Sequence, residues 1–420
     1  MHNNHKLARD VVAAVIVLLC VSCSGGNQPL QKHLPDSEAG SDAPLIEKGK
    51  YLAAIGNCIS CHTRKGVAAY SGGVGFETPF GVIYSTNITP EPNTGIGRWT
   101  KQDLRRAMHE GIGADGKHLF PAFPYPEFTR VSDDDVDAIY AFLRTLAPVS
   151  YTPPDNGVLL RIRWPLAVWN ELFFRAERQQ PDATHDAEWD RGAYLVEGLG
   201  HCSACHGPRN FAMAEKRDKK YAGGLIEQEV APGRLRKWSA VNLTPSKRGL
   251  GSWSVSDITQ YLRTGFCLRA GTFGPMNEVI INSLRQLTAE DARAMATYIK
   301  SLPVQESQET VPASDNTRGS EIYASRCEKC HGSSGRGGMF SGPPVAGSAV
   351  VQSEEPSSLI NLLLYGPGKA EGVSFGKWES MQPYGDILDD AQIADVSNYV
   401  RTSWGNRAPA VEVADVAKQR

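Results

Sequence analysis

Gly49-Lys50-Tyr51-Leu52-Ala53-Ala54-Ile55-Gly56-Asn57-Cys58-Ile59-Ser60-Cys61-His62 is the stretch from which the rest of the chain is read. A short amphipathic helix with Tyr51 and Leu52 on one face delivers Cys58, and Cys58, Cys61 and His62 form a Cys-x-x-Cys-His motif. The arrangement returns as Gly192-Ala193-Tyr194-Leu195-Val196-Glu197-Gly198-Leu199-Gly200-His201-Cys202, one residue longer, ahead of Ser203-Ala204-Cys205-His206. A third, shorter copy runs Gly319-Ser320-Glu321-Ile322-Tyr323-Ala324-Ser325-Arg326-Cys327, ahead of Glu328-Lys329-Cys330-His331.

The spacing carries chemistry. Two cysteines three residues apart reach the two vinyl groups on one edge of a porphyrin, and the adjoining histidine falls under the iron. Cys58, Cys61, Cys202, Cys205, Cys327 and Cys330 are therefore candidates for covalent haem attachment, and His62, His206 and His331 for proximal ligation. A single Cys-x-x-Cys is also half a zinc site or a redox dithiol. Three copies, more than a hundred residues apart and each followed by His, fit neither. The expected cofactor is three covalent haems of the c type.

A second repeat frames the first two motifs. Residues 95–111 and 249–265 align without a gap, each a Gly-rich loop, a Ser or Thr N-cap and a helix ending before glycine. Asn87-Ile88-Thr89-Pro90 and Asn242-Leu243-Thr244-Pro245 precede them. Closing helices are expected at 132–146, 288–302 and 389–403. The fold class that follows is mostly α: three tandem class I cytochrome c-like domains with long loops. Their expected limits are 44–150, 186–303 and 317–406, with linkers at 151–185 and 304–316 and a tail at 407–420. In residues 158–174, Trp164, Trp169, Phe173 and Phe174 alternate with Arg161, Arg163 and Arg175. That segment either packs between the first two domains, the preferred reading, or lies on a membrane or a partner.

At 420 residues the chain exceeds what one core supports. A formal charge of −2 from 44 basic and 46 acidic residues offers no clustered basic excess, so nucleic acid is not an expected partner. Lys6 and Arg9 precede an apolar run at 11–21, too short to span a bilayer and suited to export, which makes residues 1–23 a signal segment. Cys23 is a candidate lipidated residue, although Cys20 stands where leucine is usual; ordinary cleavage nearby is the alternative. Of nine cysteines, Cys267 alone is uncommitted and reads as a small buried hydrophobe.

On the far side of each iron, methionine is the sulfur ligand that raises the potential. Met276, in Gly274-Pro275-Met276, and Met381, in Ser380-Met381-Gln382-Pro383-Tyr384, both read as loop residues ahead of a closing helix. The matching step in the first domain, eleven residues past the repeat's last glycine, reaches Ala122. His118 is the best placed alternative there, while Met108 and His109 lie inside the repeat's helix, facing core and solvent.

With these residues in hand, the chain resembles the tri-haem cytochrome c subunits of bacterial membrane-bound dehydrogenases. Residues 191–202, Gly274-Pro275-Met276 and Asn398-Tyr399-Val400-Arg401-Thr402-Ser403-Trp404-Gly405-Asn406 carry the resemblance, which spans 45–406. It implies a subunit on the periplasmic side of the cytoplasmic membrane, held peripherally or by a lipid anchor. It further implies a separate catalytic dehydrogenase of flavin, quinone or molybdenum type as electron donor, ubiquinone as acceptor, and Met276 and Met381 as axial ligands. Some members have Met where this chain has Phe123. A haem enzyme, a peroxidase or sulfur-compound oxidase acting at an open first haem, is the alternative function.

Overall fold

The computed structural model describes residues 42–157, 162–231, 234–306, 316–368 and 371–420. The expected signal segment, with Cys20 and Cys23, lies outside them, as do Arg161 and residues 307–315 of the second linker. The regular structure among the described residues is mostly helical, and its named strands form three two-stranded antiparallel sheets.

In the first unit, α1 (Ala43–Ile55) leads through Gly56 and a left-handed Asn57 into the single turn Cys58–His62. A hairpin, β1 (Gly75–Thr78) and β2 (Gly81–Tyr84), follows. Helix α2 (Lys101–Glu110) begins in a Thr100/Asp103 capping box and stops at Gly111, whose φ of 66° suits a residue without Cβ. A short α3 (Tyr125–Phe128) and a closing α4 (Asp133–Arg144), capped by Ser132, complete the unit. Helix α5 (Pro165–Phe173) lies in the connection.

The second unit repeats this plan. Helix α6 (Ala187–Tyr194) runs into a π-helical turn, Leu195–Leu199, before Cys202 and the turn Ser203–His206. A π-turn absorbs one additional residue without leaving the helix, which is how the longer second copy still delivers its cysteine. Then come β3 (Gly224–Ala231) and β4 (Arg234–Ala240), α7 (Val255–Thr264) with its Ser254/Asp257 box and Gly265 stop, and a small hairpin of β5 (Phe266–Cys267) and β6 (Ala270–Gly271). Helices α8 (Pro275–Asn282) and α9 (Ala289–Ser301) close it. The third unit comprises α10 (Thr317–Arg326), the turn Glu328–His331, α11 (Ser357–Tyr365), α12 (Asp390–Thr402) and α13 (Val413–Gln419).

One crossing recurs in every unit. A Cβ placed on Gly49, Gly192 or Gly319 would sit 1.8, 2.0 or 2.3 Å from the carbonyl oxygen of Ala138, Ala294 or Asp395. Each of those carbonyls lies six residues beyond its helix's N-cap, Ser132, Thr288 or Asp389. Only glycine lets the motif helix approach the closing helix this closely.

The cores are not divided three ways. Leu52, Ile55, Ile139, Leu195, Leu199 and Met295 belong to a single buried cluster shared by the first two units. The third unit has a separate cluster around Tyr323, Ile360, Leu364 and Ile393. Residues 407–420, expected as a tail, instead add Val411 and Val416 of the α13 region to that cluster. Fully buried Arg401 holds this end in place, donating to the carbonyls of Pro409, Val351 and Ser353 at 2.8, 2.9 and 2.9 Å.

The aromatic connection divides by face. Trp169 and Phe174 set their rings against fully buried Tyr125, with centroids 6.4 and 5.0 Å away, as the packing reading expects. Trp164, Val168 and Leu172, on the other face of α5, are exposed. Cys267 is fully buried, as expected of a small hydrophobe.

Candidate haem sites

The three motif histidines share one geometry. His62 Nδ1 lies 2.6 Å from the Thr86 carbonyl, His206 Nδ1 2.7 Å from that of Val241, and His331 Nδ1 2.8 Å from that of Pro343. A carbonyl only accepts, so each Nδ1 carries the proton and each Nε2 keeps its lone pair for a metal. Burial lowers the pKa of all three imidazoles, which favours the neutral form that ligation needs.

The carbonyl partners escaped the sequence reading, yet a signal for two of them was there. Thr86 and Val241 immediately precede the repeated Asn-x-Thr-Pro segments. Asn87 Oδ1 accepts from the Thr89 amide and hydroxyl at 2.9 and 2.8 Å, and Asn242 Oδ1 does the same from Thr244 at 2.8 and 2.7 Å. These Asx turns fix the backbone just beyond each acceptor carbonyl. The third unit has no such segment and uses Pro343.

Burial pushes the Cys58 and Cys202 thiols up to about 12 and those of Cys61 and Cys327 to about 11. In the third unit, Cys327 and His331 share an apolar cleft with Met381, Leu359, Leu363 and Val400. A free Nε2, apolar walls and a thioether in one cleft fit a haem held by Cys327, Cys330, His331 and Met381. Such a group supplies reversible one-electron chemistry at its iron.

Met276 belongs to the first turn of α8 rather than to a loop. It is partly buried against the shared core, and Gly274, at φ 53°, turns the chain where a Cβ would strike the Trp238 ring at 2.8 Å. In the first unit Ala122 is exposed, while Phe123 packs on Phe128 with centroids 5.4 Å apart. Met108 is buried, as expected, but His109 is buried too, contrary to its expected solvent face. Arg178 and Asp133 cover its Nδ1, and burial, with Arg178 adding, pushes its pKa down to about 4.

His118 has the opposite tautomer from the motif histidines. The Tyr125 hydroxyl donates to Asn170 Oδ1 at 2.5 Å, so the Asn170 amide nitrogen donates to His118 Nδ1 at 3.2 Å. The proton then sits on Nε2, which leaves that atom a donor rather than a ligand.

The first two sites are clamped together. Asn282 of α8 donates to Ser60, inside the first motif, at 2.8 Å, and Ser283 to the Ile55 carbonyl at 2.9 Å. Reciprocally, Ser203 of the second motif donates to Glu127 of α3 at 3.4 Å, and His201 meets Phe128 with ring centroids 5.4 Å apart. Glu127 is pushed up to about 7 by burial, with Glu215 adding to the rise.

A family model for cytochrome c matches residues 46–147 and 317–404, the stretches that hold the first and third motifs. The alcohol dehydrogenase (quinone) cytochrome c subunit of Gluconacetobacter polyoxogenes is 40% identical over 405 residues, 90% of this chain and 85% of that one. The gluconate 2-dehydrogenase cytochrome c subunit of Pantoea cypripedii is 39% identical over 408 residues, 92% of this chain and 91% of that one. This chain belongs to the cytochrome c subunits of dehydrogenases. The fructose dehydrogenase cytochrome subunit of Gluconobacter japonicus, 35% identical over 451 residues, matches 98% of this chain and 88% of its own. Dehydrogenase cytochrome c subunits are electron-transfer rather than catalytic subunits, so the alternative of a peroxidase or sulfur-compound oxidase is set aside.

Proposed function

We propose that the chain is a tri-haem relay on the periplasmic side of the cytoplasmic membrane. In this reading it takes electrons from a separate catalytic dehydrogenase and hands them to ubiquinone. Three cytochrome c-like domains, 44–150, 186–303 and 317–406, hold one haem each through Cys58 and Cys61, Cys202 and Cys205, and Cys327 and Cys330.

The observation that carries the proposal is the threefold recurrence of a half-buried imidazole whose Nδ1–H is held by a backbone carbonyl. That bond fixes ring orientation and strengthens the ligand, so little reorganises when an electron arrives or leaves. Met276 and Met381 are proposed as the opposing ligands, which raise the potentials of the second and third sites. Export is supported by the apolar run at 11–21 and by haem attachment at Cys-x-x-Cys-His outside the cytoplasm. The quinone acceptor is supported by the name of the Gluconacetobacter relative.

The test is stopped-flow spectroscopy of the haem-loaded chain with the catalytic subunits of the related dehydrogenases and their substrates. One pairing is expected to reduce the haems, and a short-chain ubiquinone to reoxidise them. Turnover of a small substrate by the chain alone would contradict the relay.

A further inference from the structure

We infer that the outer face of α5, with the loop beside it, is the surface by which this subunit lies on an anionic phospholipid bilayer. The inference rests on the proposed membrane-side location and names the surface that realises it.

Trp164, Val168 and Leu172 recur every four residues and so line one side of the helix, exposed at 72, 51 and 67%. Trp169 and Phe173, about a third of a turn round the helix from that stripe, are half-buried, Trp169 against Tyr125. Ile162, just before the helix, is 53% exposed. The inward face already holds the helix to the protein, so the outward stripe has no part in keeping the fold together. A run of large apolar side chains left in water is costly unless something covers it.

The neighbouring loop is tied to the same helix and extends the apolar surface. Trp169 Nε1 donates to the Ala212 carbonyl at 2.8 Å, and Arg217 donates to the Phe173 carbonyl at 2.9 Å. Immediately before the first of those ties, Phe211 is 93% exposed, the most exposed large apolar side chain among the described residues.

Charge decides between a bilayer and a protein as the occupant. Arg175, Lys216, Arg217 and Lys219 are exposed around the end of the helix, against Glu171, Glu177 and Asp218. The balance here is basic by one charge in a chain whose formal charge is −2, and both lysines sit beside Phe211 on the loop. Protein interfaces exclude lysine from their centres, whereas a lipid interface takes an aromatic and aliphatic stripe flanked by lysine and arginine. Among the described residues no helix is long and apolar enough to cross a membrane, and α5 is proposed to lie on the surface rather than to span it.

The experiment uses the full haem-loaded chain carrying Leu172→Cys, or Glu290→Cys on the exposed start of α9 as control. Each is sedimented with vesicles of phosphatidylcholine alone or with added phosphatidylglycerol. Alkylation of the bound protein by a water-soluble maleimide is read peptide by peptide, so an anchor elsewhere in the chain does not mask the result. On anionic vesicles alkylation at 172 is expected to slow by roughly tenfold or more while position 290 keeps its rate. Lys216→Glu with Lys219→Glu is expected to restore the rate at 172, and salt to weaken the protection. Unchanged alkylation at 172 in the bound protein would overturn the inference, as would protection produced by a catalytic dehydrogenase subunit and not by vesicles. Failure of the relay itself would show separately, as haems that no dehydrogenase reduces.

Discussion

The Tyr51 hydroxyl donates to the Asp291 carboxylate at 2.6 Å across 240 residues of sequence, and the Tyr194 hydroxyl returns the contact to Asp135 at 2.5 Å. The residues are counterparts: each tyrosine stands two places after its unit's crossing glycine, and each aspartate three places after its closing helix's N-cap. Each carboxylate also binds a cation from its own unit's motif helix. Lys48 lies 2.6 Å from Asp135, and Arg191 makes two bonds of 2.8 and 2.7 Å to Asp291. The exchange is reciprocal, as across a two-fold axis, and it locks the first two units over one core. In the third unit Glu321 occupies the tyrosine's place.

Tyr51→Phe and Tyr194→Phe are each expected to lower the stability of the first two units by about 1–2 kcal/mol, the loss of a hydrogen bond to a charged acceptor at a half-buried site. Because the two bonds lie at separate carboxylates, the effects should add. Denaturant titration followed at each haem's own spectrum checks this, with the third haem's transition expected to stay in place.

Acid should open the same clasp. Burial pushes the Asp291 carboxyl up, but the Arg191 and Tyr51 hydrogen bonds more than offset this and hold it below its ordinary value. Its stabilisation is present above the unfolded pKa of about 4 and is lost as pH falls through the folded one. Burial and then Asp291 push Tyr51 up to about 12, so its share is present below about 10 and is lost as pH rises through about 12. The melting-temperature gap between wild type and Tyr51→Phe should therefore be flat between about pH 5 and 9 and narrow below about pH 4.

The helix crossing gives a sharper prediction. Gly319→Ala puts a methyl 2.3 Å from the Asp395 carbonyl oxygen and 2.8 Å from the Tyr399 Cβ, a backbone overlap that no rotamer relieves. A loss of about 2–3 kcal/mol, confined to the third unit, is expected. Gly157→Ala, with nothing within 4 Å, is the neutral control. Thermal melts monitored at the third haem distinguish the two.

Loss of the thioether in Met381→Ala should lower the potential of one haem and leave the other two unchanged in a spectroelectrochemical titration. His118→Ala, by contrast, should change no haem's low-temperature EPR signal, because the Asn170 amide keeps the proton on His118 Nε2.

What the sequence disclosed was local. Ser132, Thr288 and Asp389 were readable as helix starts because an N-cap needs only a side-chain oxygen and an amide three residues on, and all three cap their helices. The Cys-x-x-Cys-His motifs were readable because their chemistry is held in five residues. Contacts between distant segments were not. Tyr51 and Asp291 look like a core aromatic and a helix-start acid until the units are docked. His109 looked solvent-facing because the covering Arg178 lies 69 residues away. The additional residue in the second motif helix was visible, but its placement as the turn Leu195–Leu199 depends on packing against α9. Residues 407–420 carried too short a pattern to announce that Val411 and Val416 reach the third core.

The central claim is that the chain carries three covalent haems, one at each motif. Intact-mass analysis of the exported protein, with peptide mapping of Cys58 and Cys61, Cys202 and Cys205, and Cys327 and Cys330, measures it directly. The account predicts a mass increase of three haems with every one of these cysteines in a thioether bond. Two haems, or free thiols at any motif, would contradict it.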